Sequence, residues 1–165
     1  MALETLTTAV DDALRAQGSA AANLQSALDA IAGEYQARTA TLHLADLDDR
    51  RLHMVASRGI PDHIAAITRE IPFGKGMAGL CADRLAPVMV CNIQQDASGQ
   101  ARPGAKETGV AGAIVVPVLA KDGRLVGTLG IGKSEEHEYS GPEQQTLEAC
   151  AARLATAMAD LGKTR

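Results

Sequence analysis

Apolar residues in this chain recur at two different periods, and the order of those periods is the strongest constraint on its fold. At the start Leu3, Leu6, Val10, Ala13 and Leu14 recur at helical spacing and Gly18 marks a stop. Ser19 then caps a second helix with the stripe Leu24, Ala27, Leu28, Ile31 and Tyr35. The period next falls to two. Ala40, Leu42 and Leu44 alternate with Thr41 and His43, and Leu52, Met54 and Ala56 alternate with His53 and Val55. These read as two half-buried strands of an antiparallel hairpin, turning through Asp46-Leu47-Asp48-Asp49-Arg50.

A second hairpin is predicted by Gly112–Leu119 and Leu125–Ile131, joined at Lys121-Asp122-Gly123-Arg124, where Asp-Gly is a strong turn signal. Between the hairpins lie a short helix over Asp62–Thr68, a glycine-rich turn, a short helix to about Arg84, and the apolar run Pro87–Cys91. Residues 92–109 are polar and irregular and read as a long loop, a feature that usually carries function in a compact domain. The final helix opens on Ser140-Gly141-Pro142-Glu143, a capping box. Its stripe is Leu147, Cys150, Ala151, Leu154, Met158 and Leu161. Helices at both ends and antiparallel strands between them make an α+β domain, with both terminal helices on one sheet face.

Composition excludes several functions. With 165 residues there is one core to fill, and one Phe, two Tyr and no Trp leave it aliphatic. So few aromatics provide no platform for stacking bases, and a net charge of −4 without a Lys/Arg cluster argues against a nucleic-acid partner. Cys81, Cys91 and Cys150 form no C-x-x-C pair and the four histidines lack ligand spacing, so neither a disulfide framework nor a metal site is expected. The acidic start MALETLTTAVDD is unlike a signal peptide, and no run reaches the length of a membrane span. A cytoplasmic location is the expectation.

Gly74-Lys75-Gly76-Met77-Ala78-Gly79 fits G-x-G-x-x-G. A dinucleotide site needs a buried strand before this motif and a long crossover helix after it, and neither is present. The glycines instead turn the chain sharply into a helix whose free N–H groups, with Lys75 beside them, favour an anionic or polar ligand group. Cys150 belongs to a core stripe, and no basic group is placed to activate Cys81 apart from Arg84. The acidic residues of the first hairpin turn read as solvated, as do Glu135, Glu136 and Glu138 around His137.

Several segments in fixed order carry a family resemblance. They are Arg58-Gly59-Ile60-Pro61 after the first hairpin, Ile71–Gly79, Pro87–Ile93, Ala113–Val118 and Gly123–Leu129. From about Ser19 to Leu161 the chain resembles the GAF family. The resemblance implies a central antiparallel sheet of five to six strands, with the N- and C-terminal helices on one face and a ligand pocket on the other. Residues 1–18 would form a helix for dimerisation or signalling, and residues 19–165 the domain proper. The implied pocket has walls of Phe73, Met77, Cys81, Met89, Cys91 and Ile114. Its polar contacts come from Lys75, Gly76 and Met77 at the helix start, and from Asn92, Asp96 and Glu107.

Sub-family signatures narrow the reading. The cyclic-nucleotide signature keeps only Lys133, with Tyr139 and Glu143 as replacements, and the Cys-His pair of bilin attachment is missing. No histidine falls in the long loop where a proximal haem ligand is expected, so no cofactor is named. The related free methionine-(R)-sulfoxide reductases would place thiols at about Thr68, at Ala78 and near Ala101–Ala105, and this chain has no Cys there. The expected function is a non-enzymatic sensor of an unknown small molecule or anion. It would act as a homodimer or through a separate sensor kinase or regulator. A thiol-dependent reductase using Cys81 and Cys91, and a ligand-free dimerisation module, are the rival readings.

Overall fold

The computed structural model describes residues 3–101 and 103–163; residues 1, 2, 102, 164 and 165 of the expected spans lie outside the described residues. The chain runs α1 (Leu3–Arg15), α2 (Ala20–Tyr35), β1 (Thr39–Asp46), β2 (Arg51–Arg58), α3 (Asp62–Thr68), β3 (Glu70–Pro72), α4 (Gly76–Arg84), β4 (Val88–Val90), β5 (Gly112–Leu119), β6 (Leu125–Lys133) and α5 (Gly141–Lys163). Short 3-10 turns occupy Ile93–Gln95 and Pro103–Thr108 in the long loop. The six strands form one antiparallel sheet in the order β3-β2-β1-β6-β5-β4. The α+β architecture expected from the sequence is therefore present, with six strands.

Alternation along the central strands decides what each sheet face meets. Ala40, Leu42 and Leu44 of β1, Leu129 and Ile131 of β6, and Ile114, Val116 and Val118 of β5 all enter one aliphatic core with α1, α2 and α5. Leu154, Leu147 and Met158 of α5 are fully buried there, as are Leu24, Leu28 and Ile31 of α2. Burying each such side chain contributes about 1.5–3 kcal/mol, so this layer dominates the stability. Helix α1 belongs to the same core: Leu6 and Val10 are buried between α2 and α5, and packing is continuous across residue 18.

The opposite face was expected to be partly solvated, and here the structure differs. Strand β1 is covered on both sides: Thr39 and His43 are buried and Thr41 is half-buried. Segment 60–110 folds over this face and takes it out of water.

Local signals settle the element ends. The Ala22 amide donates to Ser19 Oγ at 3.1 Å, capping α2. At α5 the capping box is reciprocal, with Glu143 N donating to Ser140 Oγ at 3.2 Å and Ser140 N to Glu143 Oε1 at 2.9 Å. The segment before α5, expected to be solvated, is instead tied down: His137 Nε2 lies 3.0 Å from both Glu143 carboxylate oxygens, and Tyr139 is buried. Burial opposes ionisation of Glu143, but the Ser140 amide and His137 outweigh it and hold the carboxyl below its usual range. Both tyrosines satisfy their hydroxyls inside the fold: Tyr35 donates to the Glu143 carbonyl at 2.7 Å and Tyr139 to the Gly112 carbonyl at 3.1 Å.

The closest backbone approach under the helix layer is at Gly127, where an added β-carbon would lie 2.1 Å from the His43 carbonyl oxygen and 2.7 Å from Met158 Cε. Gly33 in α2 has no heavy atom within 4 Å of the same construction. Gly127→Ala should therefore cost about 2–3 kcal/mol by overpacking. Gly33→Ala should stabilise by about 0.5–1 kcal/mol through helix propensity. Urea denaturation of the two variants beside the parent checks the opposite signs.

Candidate functional site

Three cross-strand rows floor the covered face. Thr39 pairs with Gly132 and that with Ala113; Thr41 pairs with Gly130 and that with Val115; His43 pairs with Thr128 and that with Pro117. The first two rows hold only threonine hydroxyls, glycines and one small and one branched side chain, so the sheet is hollow there. A β-carbon at Gly132 would meet Thr39 Oγ1 at 2.8 Å, and one at Gly130 would meet Thr41 Oγ1 at 3.2 Å. These glycines keep space open rather than supply a turn. Above them lies a cavity of about 270 Å³, near the lower end of the range for small-molecule sites.

Three segments roof it. Ile60, Ile64, Ile67 and Thr68 come from α3 and its approach, and Ile71 from β3. Lys75, Gly76, Met77 and Ala78 come from the start of α4, and Ile93, Ala101, Gly104, Ala105, Thr108 and Val110 from the long loop. The Arg38 guanidinium at the start of β1 holds this loop down, Nε donating to the Thr108 carbonyl at 2.9 Å.

The G-x-G-x-x-G motif has a mechanical role. Gly74 and Gly76 adopt φ of +86° and +65°, which a side chain resists. A β-carbon at Gly79 would lie 2.5 Å from the Pro72 carbonyl oxygen. The turn delivers α4 with Lys75 as its N-cap and no side-chain cap bond, and Gly76, Met77 and Ala78 of its uncapped first turn border the cavity. Lys75 stands exposed at the mouth.

The most unusual polar group is His43. Its Nε2 lies 2.8 Å from the Thr68 carbonyl oxygen, which only accepts, so Nε2 carries the proton. Nδ1 is then a bare acceptor, buried and without a partner, as is the hydroxyl of Thr128 across the strand. Burial pushes this imidazole below its ordinary value, against the Thr68 bond, and His53 adds to the lowering. His43 and His53 do not face each other: His43 is paired with Met54, and His53 with Leu44.

Of the residues expected to line a pocket, Lys75, Gly76 and Met77 do so. The remainder stand elsewhere. Ile114 points into the helix-side core, and Met89 packs against that core, its sulfur 3.3 Å from the Tyr139 amide. Cys81 is sealed beneath α4 with Val88, Val90 and Val115, and burial pushes its thiol up to about 12. Phe73 packs on the Leu52 and Ile71 cluster, with the Arg50 guanidinium 5.1 Å above its ring. Asn92 caps a 3-10 turn, Asp96 accepts from the Ser98 amide, and Glu107 pairs with exposed His63 at 3.4 Å. Cys91 is half-buried at the end of β4, and its carbonyl accepts from His137 N at 3.0 Å.

Sequence reasoning missed Thr39, Thr41 and His43 because a polar alternation on a strand ordinarily marks a solvated face. The clue was the facing glycines, Gly130 and Gly132, which have no use on a face exposed to water. Elsewhere Asp46, Asp49 and His53 bring possible ligand atoms within 4.8 Å at the β1–β2 turn. That group is solvent-facing, with Asp46 already accepting from the Asp49 amide at 3.0 Å. No described helix is long and apolar enough to cross a membrane.

A family model for the GAF domain matches residues 4–159. The chain belongs to the GAF family. This match takes in α1, whose residues share the GAF core. No curated protein matches the sequence. Among solved structures, the GAF domain from Acinetobacter phosphoenolpyruvate-protein phosphotransferase superposes with a TM-score of 0.81 at 18% identity, over 98% of this chain and 95% of that one. Free methionine-R-sulfoxide reductase from Neisseria meningitidis, in complex with its substrate, gives 0.79 at 18% identity, over 99% and 92%. A putative GAF sensor protein from Burkholderia vietnamiensis gives 0.78 at 18% identity, over 98% and 96%. At these identities the likeness is one of fold, and this GAF fold hosts sensors and enzymes alike.

The neutral, buried state of His43 has a measurable consequence. On acidification the unfolded chain protonates His43 near its ordinary value while the folded chain resists until lower pH, so the unfolded state binds more protons. The contribution is full above about pH 6.5 and is lost as pH falls from there towards the folded value, with a slope up to about 1.4 kcal/mol per pH unit. Urea titrations from pH 8 to pH 5 should show the parent losing stability relative to His43→Gln, which keeps a donor for Thr68 and has no ionisable ring. Parallel curves would contradict the assignment.

Proposed function

We propose that this GAF domain is a sensory module that binds a small molecule in the cavity between the β1/β6 floor and segment 60–110, without chemistry. The observation that carries this reading is the hollow floor: two rows of threonine and glycine at the centre of a sheet whose other face is packed with aliphatic residues. Leaving an apolar void unfilled is costly to stability, and a bound ligand offsets that cost.

The non-enzymatic part rests on sulfur placement. The resemblance would place reductase thiols at about Thr68, at Ala78 and near Ala101–Ala105; Thr68, Ala78, Ala101 and Ala105 border the cavity, and none carries sulfur. A thiol held at about 12, as for Cys81, supplies almost no thiolate at neutral pH. Attack on a sulfoxide needs that thiolate. The signal would leave through α1, α2 and α5, which share one core with the back of the floor, to a second copy or to a separate kinase or regulator.

Native mass spectrometry of protein purified from its host should show a dimer and a retained small molecule. Stripping that molecule should lower the melting temperature, and adding it back at a hundred times its Kd should restore about 2.7 kcal/mol. Thiol-dependent turnover of free methionine sulfoxide, abolished by joint Cys81→Ser and Cys91→Ser substitution, would overturn the reading. A ligand-free dimer with no thermal shift would leave only a dimerisation module.

A further inference from the structure

We infer that the cavity takes a neutral aliphatic molecule carrying one hydrogen-bonding oxygen, a compact alcohol or ketone, in preference to an ion of either sign. This rests on the sensory reading above and names the chemical class of the ligand. The polar groups of the lining, and the partners they already have, point to it.

Few polar side chains border the cavity, and most are committed to the protein. Thr68 Oγ1 donates to the Ile64 carbonyl at 2.9 Å. Thr108 Oγ1 donates to the Ala105 carbonyl at 2.6 Å and accepts from the Val110 amide at 3.2 Å. His43 gives its one proton to the Thr68 carbonyl, and its Nδ1 is sealed in. Among the described lining residues there is no Asp, Glu, Arg, Asn or Gln, and Lys75 is exposed at the mouth, where water solvates it. An ion entering the cavity would shed its hydration and meet no opposite charge inside, which is expensive. The uncapped first turn of α4 is the one feature of the lining that favours an anion, and a carboxylate probe tests it.

Thr39 and Thr41 are the exceptions, because among the described residues neither hydroxyl makes a hydrogen bond. Their surroundings differ. A β-carbon on Gly132, the partner of Thr39, would lie 2.6 Å and 2.9 Å from the two Val110 methyl groups, so Val110 fills the space above that row. On Gly130, the partner of Thr41, the three nearest atoms would all belong to the sheet. They are Thr41 Oγ1 at 3.2 Å, Val115 Cγ2 at 3.3 Å and the Ile114 carbonyl oxygen at 3.8 Å. The hollow therefore lies over Gly130, and Thr41 Oγ1 stands at its edge as the hydroxyl left to meet a ligand.

The rest of the lining is aliphatic. Ile60, Ile64, Ile71 and Ile93 belong to the roof, and Ile67 carries the same surface out to the rim, where it is 54% exposed. Hydrocarbon seated against these side chains gains by leaving water and shields Ile67 as well. One oxygen on that hydrocarbon accepts from Thr41.

The test is isothermal titration of the full-length, ligand-stripped protein with four probes built on one eight-carbon ring: cyclooctanol, cyclooctanone, cyclooctylammonium and cyclooctanecarboxylate. The alcohol or the ketone should bind at least about tenfold tighter than either ion. Thr41→Val, which keeps the shape and removes the hydroxyl, should weaken that neutral probe by about tenfold, and Thr41→Ser should restore it. Ala105→Leu, which enlarges a lining side chain on the loop, should abolish binding, with thermal melts confirming that each variant folds. Either ion binding as tightly as the neutral probes overturns the inference, and so does a neutral probe indifferent to Thr41→Val or to Ala105→Leu. If no probe binds, the molecule retained from the host decides. A neutral aliphatic alcohol or ketone of another skeleton supports the inference; any other retained compound sinks it but leaves the sensor reading standing. An empty protein that no probe shifts sinks both.

Discussion

The pairing of β1 with β6 is the constraint from which the remaining structure follows. These two strands lie at the middle of the sheet and must be buried on both sides, yet they present different chemistry to each. Leu42 and Leu129, paired in register, close the helix-side core; Thr41 and Gly130, paired one residue earlier along β1, open a hollow on the other face. The helix layer supplies the stability through aliphatic contact and needs no help from the far face. That independence allows segment 60–110 to depart from regular structure, with a seven-residue helix, a three-residue strand and two 3-10 turns. Its elements are too short to hold themselves, and they are kept in place by what they sit on.

Much of the fold is legible in the residues because its signals are local. A capping serine, an Asp-Gly turn and a helical stripe act within a few residues, and each is found where the spacing puts it. The candidate site is legible only in part, because it depends on pairing between strands far apart in sequence. Ile114 lies in an apolar run, Gly112–Leu119, that is covered on both faces, and a fully buried strand carries no alternation to say which residue faces which layer. Asn92, Asp96 and Glu107 are polar residues of a long loop, but their side chains serve the loop itself or its surface. Lys75, Gly76 and Met77 border the cavity because they stand at a helix start, which is a local feature.

Histidine and cysteine behave here as burial dictates. Cys81 is chemically quiet because the valines around it exclude the water and charge that a thiolate needs. His43 is neutral for the same reason, yet it remains a specific group because one nitrogen is committed and the other is not. Burial removes thiolate reactivity from the one and keeps the other neutral.

Thr41 and Leu42 are consecutive residues, one bordering the cavity and the other packed beneath α2 and α5. The two compartments are therefore divided by the thickness of a single pleat. The β1–β6 ladder works as a diaphragm: whatever changes the spacing of Thr39, Thr41 and His43 on one side changes the seating of Ala40, Leu42 and Leu44 on the other. A core packed to crystal density has little free volume to absorb such a displacement, so the helices share the strain.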